Sequence, residues 1–258
     1  TAQTRQQPSG RAKVVAFLGS RGGIGTTTCA LNVGIALQHR GYDVILAELN
    51  PGRGTLALEL DISEPVGLSN LLHRALKDIH LRSVGNEIVT HKTGLRLLLS
   101  SYRPREADLD QAVPQMEAIL RNLTSMCNTL ILDLGSGFRP YVHAMCQGSD
   151  HIVVVVEPIY PSNIIARSLV DELETRGITR HKMSVALLTR ERTSLQLPWR
   201  QVTTDIGLEK AGIISPAPEL AHQASQTGTP LIVLHPASLV SDQLHNLAEF
   251  ITTYLQPL

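Results

Sequence analysis

Residues Gly19–Thr28, read GSRGGIGTTT, put four glycines, three threonines and one arginine within a single turn of chain. Glycines at 22, 23 and 25 let the main chain approach an anion and aim successive N–H groups at it, and the positive end of a following helix adds to the attraction. The general phosphate-binding loop reads G-x-x-x-x-G-K-[ST] and lies between a strand and a helix. Here Ser20 takes the first glycine position, Thr26 the lysine position, and Thr27 the position of the magnesium-binding hydroxyl. The main-chain features are kept and the charge is gone. By itself such a turn is also an ordinary tight connection, so its setting decides the matter.

That setting is a strand, a turn and a helix. Lys13–Leu18 is an apolar, β-branched run; Thr27 to about Arg40 reads as helix, Gly41 stops it, and Asp43–Glu48 supplies the next strand. Further strands are expected at Leu95–Leu99, Leu130–Leu134, Ile152–Val156 and Ser184–Leu188, with helices at Asp110–Met126, Pro161–Thr175 and Ala237–Tyr254. Ile152–Val156 is apolar at every position, which suits a strand covered on both faces. The alternation predicts an α/β, three-layer sandwich with a mostly parallel central sheet and helices on both faces.

With these segments in view, the loop resembles the deviant P-loop of the MinD/ParA family, K-G-G-x-G-K-[ST], with Arg21 at the signature lysine. Three later segments follow in order. Residues 43–62 (DVILAELNPGRGTLALELDI) are similar to the second strand and its acidic switch, with Glu48 and Asn50 where the family reads D-x-D. Residues 128–137 (NTLILDLGSG) resemble the Walker B strand and second switch, leaving Asp133 as the magnesium-side carboxylate and Gly137 as the switch glycine. In VALLTRER (185–192), Thr189 replaces the Asn of an adenine-contacting L-N-R, and Arg190 is retained. Within the family, the long match with eroded motifs looks most like the TadZ/CpaE pilus-assembly branch.

The resemblance implies a nucleotide site made of Ser20, Arg21, Gly22, Gly23, Ile24, Gly25, Thr26, Thr27, Thr28, Thr189 and Arg190. It implies magnesium held through the nucleotide by Thr27 and Asp133, degenerate catalytic positions at Glu48 and Asn50, and a homodimer in which Arg21 reaches the partner subunit's nucleotide. Thr26 offers a hydroxyl where lysine would place a charge, and charge-assisted hydrogen bonds contribute about 1.5–3 kcal/mol each. Nucleotide binding is therefore expected to be weakened. Asn50 orients a water but does not accept its proton, so ATP hydrolysis is expected to be very slow or absent. Plainer assignments stand beside these: Asp133 as a strand-end cap, Glu48 in an ordinary ion pair, Arg21 and Arg190 as solvated charges.

Composition excludes several alternatives. Lys plus Arg and Asp plus Glu number 23 each, so no overall field draws the chain to nucleic acid or anionic lipid. Cys29, Cys127 and Cys146 form no C-x-x-C pair, and none lies between residues 133 and 140, where iron–sulfur relatives carry cluster ligands. No iron–sulfur cluster is expected. The apolar stripe Leu239, Leu244, Leu247, Ile251 and Leu255 has no Lys or Arg after residue 236, so core packing is the reading rather than a basic membrane helix. Residues 1–12 read as a polar linker or chain edge, with one P-loop domain over 13–258 and room for a further domain upstream. The expected role is a cytoplasmic localisation or assembly scaffold for a pilus or secretion machine, recruited through protein partners. The rivals are a working ATPase that positions DNA or division machinery, and an interaction domain that has given up nucleotide.

Overall fold

A computed structural model describes residues 11–63, 65–190 and 196–255. The linker expected over residues 1–12 lies, up to residue 10, outside the described residues. The strands are β1 (Lys13–Gly19), β2 (Val44–Glu48), β3 (Val89–Thr90), β4 (Arg96–Leu98), β5 (Thr129–Ser136), β6 (His151–Val156), β7 (Met183–Leu188) and β8 (Glu209–Ile214). The helices are α1 (Thr26–His39), α2 (Leu56–Glu59), α3 (Gly67–Leu72), α4 (Leu81–Asn86), α5 (Val113–Leu123), α6 (Val142–Gln147), α7 (Tyr160–Thr175), α8 (Trp199–Ile206), α9 (Pro218–Gln226), α10 (Leu231–Leu234) and α11 (Leu239–Leu255).

All strands join one sheet in the order β3-β4-β2-β5-β1-β6-β7-β8. Every pairing is parallel except β3 with β4. Side chains alternate across a strand, so each central strand feeds two cores. In β6, Ile152, Val154 and Val156 pack with α5, α6 and α7 on one face, and Val153 and Val155 pack with α1 and α11 on the other. The result is the expected three-layer sandwich. Four residues of the C-terminal stripe, Leu244, Leu247, Ile251 and Leu255, are buried against the sheet, whereas Leu239 is exposed. Among the described residues no helix is long and apolar enough to cross a membrane.

The single helix expected at Asp110–Met126 is divided. Residues Pro104–Gln111 form 3-10 turns, and α5 starts at Val113 with Pro114 in its first turn, where a missing N–H costs nothing. The strand order reverses at β1: the chain leaves it for β2 on one side, and later passes from β5 across it to β6 on the other. Ligands of open α/β sheets bind at such switch points, beyond the carboxyl ends of the strands. The glycine loop leaves β1 at that place.

Candidate functional site

The loop between β1 and α1 is shaped by glycines that other residues would not replace. Gly23 and Gly25 have φ of 74° and 93°, the left-handed region that side chains avoid. A Cβ on Gly25 would also stand 2.5 Å from Leu188 Cδ2, while Gly23 faces open space. Gly25 is the N-cap of α1, with no side-chain cap and no acidic residue in the first turn. The first N–H groups of a helix have no intrahelical partner, so here they remain for an anion. Thr26 is buried, and its hydroxyl is tucked against Gly19 at the base of the loop.

Parallel register brings the acidic positions to the same end of the sheet: Phe17 and Glu48 both stand opposite Asp133, from β1 and β2. Asp133 is fully buried. Its Oδ1 accepts the Gly135 N–H at 3.0 Å, and among the described residues its Oδ2 has no hydrogen-bond partner. Burial pushes its pKa up, opposed by the Thr27 hydroxyl and the Gly135 N–H. After burial itself, the charge of Asp133 helps raise Glu48 to about 8, Glu59 to about 7 and Cys29 to about 12. Among the described residues no side-chain cation offsets it. A buried carboxylate oxygen with an open lone pair, beside a threonine hydroxyl, fits a magnesium ion. Among the described residues no group of three His, Cys, Asp or Glu could hold a metal alone. The ion would therefore need phosphate oxygens as further ligands, which is how magnesium is commonly held in nucleotide sites.

The two degenerate catalytic positions differ. Glu48, expected as a degenerate catalytic position, has a carboxyl group that anchors the main chain around it. Oε1 accepts the N–H groups of Thr55 and Leu56 at 2.7 and 3.0 Å, and Oε2 accepts that of Ser100 at 3.1 Å. It thereby caps α2 and ties down the segment after β4. Asn50 remains at the site: its carboxamide lies on Gly135, its Nδ2 donates to the Arg53 carbonyl at 3.2 Å, and its buried Oδ1 is unpartnered. The Gly137 N–H donates to the Gly19 carbonyl at 3.1 Å, joining the second switch segment to the loop.

Thr189 and Arg190 follow β7 and line a cavity of about 340 Å³ together with Gly23, Ile24, Gly25 and Thr28. The structure adds walls that the sequence reading missed, chiefly Leu188, Ile214, Leu231 and Val240. Arg190 is exposed at the end of this stretch, and residues 191–192 of the VALLTRER segment lie outside the described residues. Larger cavities exist, one of about 510 Å³ beside α7 and one of about 400 Å³ near Arg11. The first is lined by Ser20 and Gly137 as well as by α7, the second by no residue of the loop, and Asp133 lines none of the three. Arg21, expected to reach across a dimer, is paired within its own chain to Glu157. Glu157 escaped the sequence reading because it merely ends an apolar strand, 136 residues away.

The protein-family model described as "Cellulose biosynthesis protein BcsQ" matches residues 12–249. The septum site-determining protein MinD of Thermotoga maritima is 27% identical over 243 residues, covering 91% of this chain and 86% of that protein. Among solved structures, a ParA family ATPase from Chlorobium tepidum shares the fold with a TM-score of 0.80 at 17% identity, covering 92% of this chain and 98% of its own. The MinD of Pyrococcus horikoshii, solved with Mg-ADP, superposes with a TM-score of 0.76 at 14% identity, covering 96% of this chain and 100% of its own. With loop, fold and family match in agreement, the chain belongs to the cellulose biosynthesis protein BcsQ family, a branch of the MinD/ParA-type P-loop proteins.

Proposed function

We propose that this chain is a nucleotide-holding assembly scaffold for a cell-envelope machine, one that takes up Mg·ATP and turns it over very slowly or not at all. The observation that supports this is a main-chain phosphate cradle complete in everything but charge. Gly23 and Gly25 hold the loop open, α1 presents uncapped N–H groups, and Thr27 and Asp133 wait beside them. The two side chains that would bring positive charge are absent or engaged. Thr26 carries no charge and faces Gly19, and Arg21 is taken by Glu157.

Binding follows from these parts. The loop amides and the helix terminus receive phosphate oxygens, and the cavity walled by Leu188, Ile214, Leu231 and Val240 takes the base. Thr27 and Asp133 would hold magnesium, which would supply positive charge to offset that of the phosphates. Hydrolysis asks for more: an oriented water, somewhere for its proton to go, and stabilisation of charge in the transition state. Asn50 Oδ1 has a free acceptor for a water hydrogen but takes no proton, and the Glu48 oxygens already receive three N–H groups. The cleft therefore stores a nucleotide rather than spending it.

In this reading nucleotide stabilises a homodimer on the cytoplasmic side that is recruited through protein partners. The description of the matched family supports cellulose synthesis as the setting. The pilus-assembly setting of the TadZ/CpaE kind, which the eroded motifs resemble, is the alternative. Gene deletion followed by measurement of extracellular cellulose and of surface pili separates the two.

The biochemical test pairs thermal unfolding with phosphate release. A ligand that binds only the native state adds about 2.7 kcal/mol of stability at 100 times its Kd. The expected result is a clear rise in Tm with Mg·ATP and phosphate release far below about one per second, the low end of ordinary enzyme turnover. Turnover near that rate contradicts the scaffold, and an unmoved Tm contradicts nucleotide binding.

A further inference from the structure

Arg21 is the one cation in the loop 19–28. Where its guanidinium sits decides whether the cradle carries a positive charge. Register between β1 and β6 sets Gly19 opposite Val155, and the Ser20 N–H donates to the Val155 carbonyl at 3.0 Å. That pairing brings Arg21 beside Glu157, the residue that follows β6. Their ion pair is partly shielded, with side-chain exposures of 33% for Arg21 and 12% for Glu157. Ser162, in the first turn of α7, fixes the arrangement from below. Its hydroxyl accepts the Glu157 N–H at 3.2 Å and shares a hydrogen with the Ser20 hydroxyl at 2.9 Å.

The grip on Arg21 is incomplete. One terminal nitrogen reaches Glu157, while among the described residues the buried Nε has no acceptor. A guanidinium carries five N–H donors and pairs best with a carboxylate or phosphate through two parallel bonds. Half of this one is unspent, next to a cradle that receives phosphate oxygens.

Resting on the nucleotide reading above, we propose that Glu157 is a positioning residue that holds Arg21 out of the phosphate cradle. The affinity of the cleft for a polyphosphate is then set by competition between Glu157 and phosphate for one guanidinium. Neutralising Glu157 releases Arg21 to the phosphates. Removing Arg21 from the unmodified chain takes away no phosphate contact, because it is not yet on the ligand, but leaves the Glu157 charge unpaired beside the cradle.

The test is a double-mutant cycle on the full chain, with Mg·ATP affinity measured by calorimetry over a range of NaCl concentrations. The variants are Glu157→Gln, Arg21→Gln and both together. Glu157→Gln is expected to bind about tenfold tighter at low salt, with a steeper loss as salt rises, as a new charge-assisted contact requires. Arg21→Gln alone leaves the Glu157 carboxylate unpaired beside the phosphates and is expected to bind a few-fold weaker, and the double variant to return to about the affinity of the unmodified chain, well short of Glu157→Gln. A merely structural ion pair predicts instead that both single variants weaken binding alike with no change in salt dependence, and that result overturns the role. So does a tenfold loss in Arg21→Gln alone, which would show the guanidinium already on the phosphates. Equal affinity in all four proteins sinks the positioning role but leaves the nucleotide reading standing. Absence of binding in all four, and in Thr26→Lys as well, sinks both. Apo melting curves verify folding. Should Glu157→Gln not fold, Glu157→Asp withdraws the charge by one methylene and is expected to tighten binding about threefold; unchanged affinity there overturns the role equally.

Discussion

At the apolar end of the cleft, Leu188, Ile214, Leu231 and Val240 are buried walls around a cavity of about 340 Å³. At the phosphate end, Asp133 Oδ2 and Asn50 Oδ1 are buried polar atoms with nothing to bind. The first region is satisfied as it stands, because apolar surface needs only neighbours. The second is not, because a buried polar atom without a partner costs stability. Residues that keep such a cost are the ones a ligand would relieve. The contrast also separates shape from charge. In the function proposed above, the loop and the apolar cavity supply shape, and the parts that would discriminate a third phosphate are replaced.

The largest expected effect strikes both regions at once. Gly25→Val would put a β-branched side chain at φ 93° and against Leu188. Strain of that kind costs about 1–3 kcal/mol before the collision is counted. Urea denaturation should show at least that loss, and calorimetry should show no nucleotide binding; an unchanged affinity would mean that the loop is not the cradle. Next, Asp133→Asn isolates the phosphate end. Mg·ATP affinity in this variant should fall by about tenfold or more, to the level the unmodified chain shows in EDTA, since one metal-side carboxylate is lost. Retained magnesium dependence would place the ion elsewhere.

Thr26→Lys restores the missing charge. In the unmodified chain ATP and ADP are expected to bind within a few-fold of each other. With lysine present, ATP should gain about tenfold over ADP, the yield of one charge-assisted contact. Equal affinities in both proteins would show that Thr26 is not the reason for the lost discrimination.

A smaller effect concerns pH. Burial, with the charge of Asp133 adding to it, lifts Glu48 from 4.5 to about 8 and Glu59 from 4.5 to about 7. A carboxyl whose folded pKa lies above its unfolded value holds a proton that the unfolded chain gives up. Its contribution is full below about pH 4.5 and is lost as pH rises through 7 to 8. Glu59→Gln should flatten the corresponding fall in urea midpoint between pH 5 and 9. Saturating Mg·ATP should flatten it too, because a cation at Asp133 favours the ionised carboxylates. A slope untouched by either would place the pH dependence outside this acidic group.

Much of the fold could be read from residues because continuous burial writes itself as continuous apolar sequence. Strands β1, β2, β5, β6 and β7 fall on the expected runs within one or two residues. β8 was not legible: it begins Glu209–Lys210 at an edge of the sheet, where one side faces solvent and the apolar run is broken. β3 has two residues and no pattern to show. At the site, the glycines announced the loop because only they tolerate its backbone. The fate of Glu48 was hidden, since its three N–H partners come from residues up to 52 positions away. Arg21 and Glu157 meet only through the β1–β6 pairing, which no local spacing encodes.

The most direct measurement is a crystal structure of the protein grown with excess Mg·ATP. The account predicts an intact triphosphate against the main-chain amides between Gly22 and Thr27, magnesium between Thr27 and Asp133, and the base against Leu188 and Ile214. A loop closed over empty space, or filled by its own side chains, would contradict it.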